Sequence, residues 1–254
     1  MKIDILTLFP EMFSAVTESS ILGRAGDKGI LDINLINIRD FSKDKHNKAD
    51  DTPFGGGPGM VMLAQPVFDA LKSVEARGKR LIYMSPRGKV LDMETIKELA
   101  KEEELVLLCG HYEGIDQRVL DYWEMEEISI GDYILTGGEL PAMVLIDAVA
   151  RFIPDVLGSR ESVADESIYS GLLECDQYTK PRQFAGMDVP EVLTSGNHKI
   201  GSTKMLSALQ KHGAPTCSAL IWKKRKNFPK MRKKSWKRLC QNPFRNVVIH
   251  NISW

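Results

Sequence analysis

Ser129–Met143 reads SIGDYILTGGELPAM. An apolar strand ends at Ile130, and Gly131, Asp132 and Tyr133 follow. Ile134, Leu135 and Thr136 lead to the pair Gly137–Gly138. Two adjacent residues without Cβ break any regular element, because their backbone freedom is high. Glu139 then opens a helical pattern that runs to Phe152, with Pro141 in its first turn, where its missing N–H costs nothing. A strand therefore feeds a bent, glycine-lined loop, and the loop feeds a helix. Backbone N–H and C=O groups in such a loop can approach a flat ligand closely, and adenine suits that recognition. An ordinary strand–turn–helix connection uses the same residues, so spacing alone leaves both readings open.

Working outward, the neighbouring segments repeat the strand-then-helix order. Lys2–Phe9 is an apolar strand, and Pro10 opens a helix carrying Met12, Phe13 and Val16. Leu31–Phe41 (LDINLINIRDF) alternates as a second strand. Gln65–Arg77 is an amphipathic helix. Arg80–Ser85 (RLIYMS) is a strand closed by Pro86-Arg87-Gly88, and Asp92 N-caps a helix through Lys101. Leu105–Cys109 (LVLLC) is continuously apolar, as in a parallel strand buried on both faces. A short helix, Gln117–Trp123, precedes the strand Glu127–Ile130. Strands alternating with helices predict an α/β fold around a parallel sheet. Ligands in such sheets sit beyond the carboxyl ends of the strands. Three strands end in glycine or proline turns, at Ser85-Pro86, Gly110 and Gly131, which is the convergence a binding crevice requires.

A second glycine run, DTPFGGGPGM, covers Asp51–Met60. A Walker-type phosphate loop ends in Gly-Lys-Ser/Thr, and that ending is missing, which disfavours an NTPase. The GxGxxG dinucleotide pattern is also missing, so a Rossmann-type enzyme is not supported. The run reads either as a mobile surface loop or as a loop that folds over a nucleotide.

The chain has 254 residues, enough for one large domain or for one of about 150 residues with a smaller companion. It has no apolar run of membrane-spanning length. The opening MKIDILTLFPEMF carries Asp4 and lacks a small-residue cleavage site, so it reads as a strand and not as a signal peptide. Cys109, Cys175, Cys217 and Cys240 are widely spaced, which disfavours zinc and a disulfide framework and points to the cytoplasm. The zero net charge conceals a split: residues 1–198 hold 20 Lys and Arg against all 34 Asp and Glu, and residues 199–254 hold 14 Lys and Arg with no acid. A basic tail on an acidic body usually indicates nucleic acid.

These motifs together resemble the bacterial tRNA (guanine-N1-)-methyltransferases, a knotted family of the SPOUT class. The resemblance runs from the N-terminus to about His198. It implies a parallel sheet with a deep trefoil knot over residues 1–158, a linker over 159–181 and a small helical tRNA-binding region over 182–254. Periodicity cannot show a knot, and general topology rules disfavour one. The resemblance implies transfer of a methyl group from S-adenosylmethionine to N1 of guanosine 37 in tRNA. It assigns the cofactor pocket to Tyr83, Met84, Ser85, Pro86, Gly110, Tyr112, Glu113, Gly114, Ser129, Ile130, Gly131, Asp132, Tyr133, Ile134, Leu135, Gly137, Gly138 and Pro141. Glu113 would sit by the cofactor's sulfonium. Gly57, Gly59 and Met60, with Arg151 and Ser167, would contact the target guanosine. A lone arginine ending a helix, as in DAVARF, ordinarily serves solvation or the helix dipole, whereas the family's arginine here meets the guanine or its developing charge.

The family's general base is an aspartate in an Asp-Ser pair. Counting back from GLLE…YTKP puts Glu166-Ser167 on that pair, so Glu166 is the first candidate base and the adjacent Asp165 the second. The resemblance also implies a homodimer with the active site shared between subunits, the anticodon arm of tRNA as partner, no membrane, and magnesium, although no metal-ligand cluster stands out. A non-catalytic RNA-binding protein, or a variant that only binds the cofactor, is the alternative.

After Ser195–His198 the family's helix and its Arg-Arg-Pro-Asp-Leu-Leu stretch are absent, and Lys223–Lys226 with Lys230–Lys234 reads as an RNA-binding patch. Back-translating His212–Ser218 and reading one base earlier spells Arg-Arg-Pro-Asp-Leu-Leu with suitable synonymous codons. In that frame the Trp-Lys junctions at 222–223 and 236–237 become Glu by necessity. A frameshift between about His198 and Lys211 is therefore expected, and an intact gene frame with no close relative carrying the expected helix would refute it.

Overall fold

The computed structural model describes residues 1–157 and 177–194. It divides the chain into two units, Met1–Val163 and Ala164–Trp254.

The first unit is built on five parallel strands: β1 Lys2–Thr7, β2 Asp32–Asn37, β5 Arg80–Val90, β6 Glu104–Cys109 and β7 Glu126–Ser129, in the order β2-β1-β6-β5-β7. The central strand shows why. Successive side chains of a strand point to opposite faces. In β6, Leu105, Leu107 and Cys109 enter one core cluster, and Val106 and Leu108 enter the other. Both faces of the sheet are thus covered, and the continuous run LVLLC is what such a position demands.

Helices supply the two covers. One face holds α6 (Glu139–Ala150), whose Leu145, Ile146 and Val149 pack with Ile3, Ile5 and Phe13. The other holds α3 (Ala64–Ser73) and α5 (Gln117–Trp123), through Val67, Leu71, Val119 and Leu120. Helix α4 (Met93–Leu99) is capped by Asp92, whose carboxylate accepts the Thr95 N–H at 2.9 Å. That bond lies first among those holding the Asp92 carboxyl below its usual range. Asp116 caps α5 in the same way through the Arg118 N–H at 3.0 Å.

Several sequence expectations need correction. The strand expected over Leu31–Phe41 stops at Asn37. The Asn37 side chain accepts the Arg39 N–H at 3.0 Å and turns Ile38–Phe41 into a 3-10 helix. The helix expected from Pro10 is a 3-10 turn, Pro10–Met12, followed by the separate helices α1 (Ser14–Thr17) and α2 (Ser20–Asp27). Pro86-Arg87-Gly88 does not close β5. The strand runs on to Val90 through a register shift between Met84 and Lys89, and Gly88 lies against the Glu127 backbone with no room for a Cβ. A bulge re-aims the strand where glycine permits close approach. Strand β7 and helices α3, α4 and α6 also have shifted or shorter bounds than expected, as element ends often do.

The run DTPFGGGPGM is flanked by β3 (Asp50–Asp51) and β4 (Val61–Met62), an antiparallel pair, so it is the tip of a hairpin. In the second unit, β8 (Gln183–Phe184) and β9 (Met187–Asp188) pair antiparallel. Ala185 and Gly186 between them both take positive φ, 51° and 78°, the signature of a tight two-residue hairpin turn. Helix α7 spans Glu191–Thr194. Most of the expected linker, and everything beyond residue 194, lie outside the described residues. Among the described residues no helix is long and apolar enough to cross a membrane.

Candidate active site

The register shift within β5 and the carboxyl ends of β6 and β7 open into one cleft of about 640 Å³, part of it continuous with solvent. Its walls are three segments: Tyr83–Pro86 at the irregularity of β5, Gly110–Gly114 after β6, and the stretch from Ile128, at the end of β7, to Pro141. Sixteen of the eighteen residues assigned to the cofactor line it; Gly131 and Asp132 do not. Gly131 turns the chain instead, its N–H and C=O both bonded to the Ser129 hydroxyl, at 3.2 and 2.9 Å. His111, inside the Gly110–Gly114 stretch that the resemblance assigns to the cofactor, also lines the cleft, and Ile128 and Thr136 line it without having been expected.

The loops are clasped by backbone contact. The Gly138 N–H donates to the Gly110 carbonyl at 2.8 Å, and His111 and Gly137 form an isolated bridge. A Cβ on Gly138 would stand 2.8 Å from Cys109 Cα and Gly110 N. One on Gly137 would run into the His111 ring, and one on Gly110 would stand 2.7 Å from the Tyr83 ring. The glycines leave no room for a Cβ: Gly138 passes directly against backbone, and Gly137 and Gly110 against the His111 and Tyr83 rings. The cleft is thus a narrow, apolar slot with many backbone groups at its surface, and it suits a flat heteroaromatic ring.

Glu113 joins this slot to the glycine-rich hairpin. Its N–H donates to the Met60 carbonyl at 2.9 Å, and the Met62 N–H donates to the Gly114 carbonyl at 2.9 Å. Gly59 takes φ +89° and lies against the Glu113 side chain, with Oε1 2.5 Å from where a Cβ would be. The carboxylate that the resemblance assigns to the cofactor's positive centre therefore also touches the loop that it assigns to the target base. The Tyr83 phenol is pushed up by burial and by the Glu127 carboxylate, against the opposing Arg87. Burial, then the neighbouring Glu139, push the Cys109 thiol well up, so it is an inert structural thiol.

Arg151 is not at the cleft. It caps the C-terminal end of α6, while Pro141 of the first turn stands at the cleft. At 1.5 Å per residue the axial separation from Pro141 to Arg151 is about 15 Å, longer than an arginine side chain. Asp165, Glu166 and Ser167 lie outside the described residues. Among the described residues no three His, Cys, Asp or Glu side chains are grouped to hold a metal ion.

A buried polar group also went unnoticed in the sequence. Glu139 is 1% exposed; Thr7 Oγ1 donates to its Oε1 at 2.7 Å, and His111 Nε2 meets its Oε2 at 2.8 Å. The only sequence signal was an acid at the start of a helix, which ordinarily reads as a dipole partner.

Residues 1–213 match the family model described as tRNA (Guanine-1)-methyltransferase TrmD. The chain is 59% identical over 201 residues to the tRNA (guanine-N(1)-)-methyltransferase of Ruminiclostridium cellulolyticum, covering 78% of this chain and 86% of that one. It is 57% identical over 200 residues to the enzyme of the same name from Clostridium perfringens, covering 78% and 84%. A third, from Alkaliphilus oremlandii, is 57% identical over 206 residues, covering 78% and 83%. With the parallel sheet and the clasped cleft beside these matches, the chain belongs to the tRNA (guanine-1)-methyltransferase family.

Proposed function

We propose that this chain transfers a methyl group from S-adenosylmethionine to N1 of guanosine 37 in tRNA, in the cytoplasm, giving 1-methylguanosine. The observation that carries the reading is the junction at Glu113, where the slot of residues 83–86, 110–114 and 128–141 meets the Gly59–Met60 hairpin. The cofactor supplies the electrophilic methyl. The cradle suits it: the glycines at 110, 137 and 138 let the walls of the slot close against their neighbours, and Glu113 offers a carboxylate to a positive sulfur.

The protein's work is then to position and to move one proton. Guanine N1 forms the bond to the methyl carbon, the sulfur keeps the old bonding pair, and the N1 proton must leave. Glu166 accepts it, with Asp165 next in line, and a carboxylate does this best where water is excluded. Charge developing on O6 calls for a fixed cation, and Arg151 is that cation. Since Arg151 sits about 15 Å along α6 from its own subunit's cleft, it serves the cleft of a second copy. Helix α6 has a face for that copy: Leu140 and Val144 are 48% and 49% exposed on an otherwise apolar helix. Ser167 and Gly57 complete the guanosine contacts, and the anticodon arm is the partner. No step is routed through magnesium; a chelator titration reads whether activity requires it.

The test is methyl transfer from labelled S-adenosylmethionine to two transcripts, one with guanosine and one with adenosine at position 37. Transfer to the guanosine transcript alone is expected; equal transfer to both, or failure to bind the cofactor, overturns the reading. Mixing E113Q and R151A chains tests the shared site. Each variant alone is inactive, and the mixed dimer regains one working site. No recovery would place both residues in one subunit's site.

A further inference from the structure

We infer that Glu139 is a positioning residue of the cofactor slot: its buried carboxylate holds Thr7 on one oxygen and the His111 ring on the other, and through His111 fixes the wall made by Gly137 and Gly138. The inference rests on the reading of that slot as the S-adenosylmethionine site.

An ionised carboxylate buried to 1% exposure is expensive unless hydrogen-bonded on all sides. Glu139 meets that condition from three directions. Thr7, at the end of β1, already accepts the Phe9 N–H at 3.0 Å, so its own hydrogen is free to donate to Oε1. His111, in the loop after β6, reaches Oε2. Glu139 is also the first residue of a twelve-residue helix, where the helix dipole favours an anion.

Three chain segments distant in sequence are thereby tied at one point. The tie lies directly behind the slot, because a Cβ on Gly137 would strike both His111 Nε2 and Glu139 Oε2. The imidazole also packs beside the Phe9 ring, whose centroid is 4.8 Å away. The backbone at this residue is tied separately, where the His111 N–H meets Met62 Sδ at 3.3 Å. The next residue, Tyr112, takes φ +59°, a left-handed conformation that a non-glycine residue holds only when its surroundings over-determine it. An apolar side chain of similar volume would fill the site without the desolvation cost. What the carboxylate adds is direction: as an acceptor it fixes His111 as the Nε2–H tautomer and fixes the ring plane.

Glu139→Gln keeps shape and volume. Its carbonyl still accepts from Thr7, but its NH2 then faces His111 Nε2, which must become the acceptor. The experiment measures S-adenosylmethionine affinity by calorimetry, His111 tautomer by nitrogen-15 NMR, and melting temperature. The wild type is expected as the Nε2–H form. Glu139→Gln is expected to flip the tautomer and weaken cofactor binding about tenfold, and the same substitution in a His111→Phe background is expected to add little. His111→Gln, which keeps an N–H donor for the carboxylate, is expected to bind the cofactor more tightly than His111→Phe and serves if Glu139→Gln does not fold. Wild-type affinity in Glu139→Gln, or equal losses with and without His111, overturns the inference. Absence of binding by the wild type overturns the slot assignment itself.

Discussion

The two glycine runs look alike in sequence and are built for opposite reasons. In the hairpin tip, Gly55, Gly56 and Gly57 take φ of 90°, 76° and 124°, and nothing lies within 4 Å of where a Cβ would be. These glycines are required by conformation. In the loop after β7, Gly137 and Gly138 have ordinary backbone angles and no space. They are required by proximity: a second segment of the same chain, Cys109–His111, runs directly behind them. On the proposed reading one run is an adaptable cover and the other a rigid wall, as an enzyme that grips a small cofactor and then admits a large RNA needs.

The largest effect should come from a residue in neither run. Glu166→Gln is expected to lower turnover about a thousandfold and to leave cofactor affinity unchanged in calorimetry. Near-normal turnover would remove Glu166 as the base. Gly138→Ala comes next. Its methyl meets backbone, which cannot swing aside, so cofactor affinity should fall about a hundredfold and stability by about 1–3 kcal/mol. Alkylation adds a second readout. Cys109 is fully buried with its thiol pushed up, so it should resist iodoacetamide in the wild type and react measurably faster in Gly138→Ala, read by peptide mass spectrometry. If Gly138→Ala binds cofactor normally, the wall is not rigid.

Gly59→Ala sits between the two regimes, with a positive φ and the Glu113 side chain against it. A roughly tenfold loss of transfer to tRNA is expected, with a smaller loss of cofactor affinity. The smallest effect should be Gly56→Ala. It pays only the left-handed backbone cost of about 1 kcal/mol, seen as a lower melting temperature with cofactor affinity intact. If Gly56→Ala harmed cofactor binding more than Gly138→Ala, the distinction between cover and wall would collapse.

The sequence alone determined the alternation of strands and helices, the two-sided burial of Leu105–Cys109, the cap at Asp92, and the two strand ends, at Gly110 and Gly131, that converge on the slot. Those features are local: period, capping chemistry and turn residues act within a few positions of the chain. The resemblance in its motifs then supplied the slot's membership nearly complete.

Tertiary structure alone decided the rest. Pro86–Gly88 reads as a strand end, yet β5 continues because β7 offers partners on the far side of a bulge. The fate of Ile38–Phe41 turned on one Asn37 side-chain bond. Arg151 reads as part of the site, yet α6 carries it away from its own cleft, a consequence of helix rise that a motif does not encode. Glu139 reads only as the residue that opens a helix and is buried between Thr7 and His111, residues 132 and 28 positions away. Burial and pairing at such separations depend on which segments the sheet brings together, and that is a property of the folded chain.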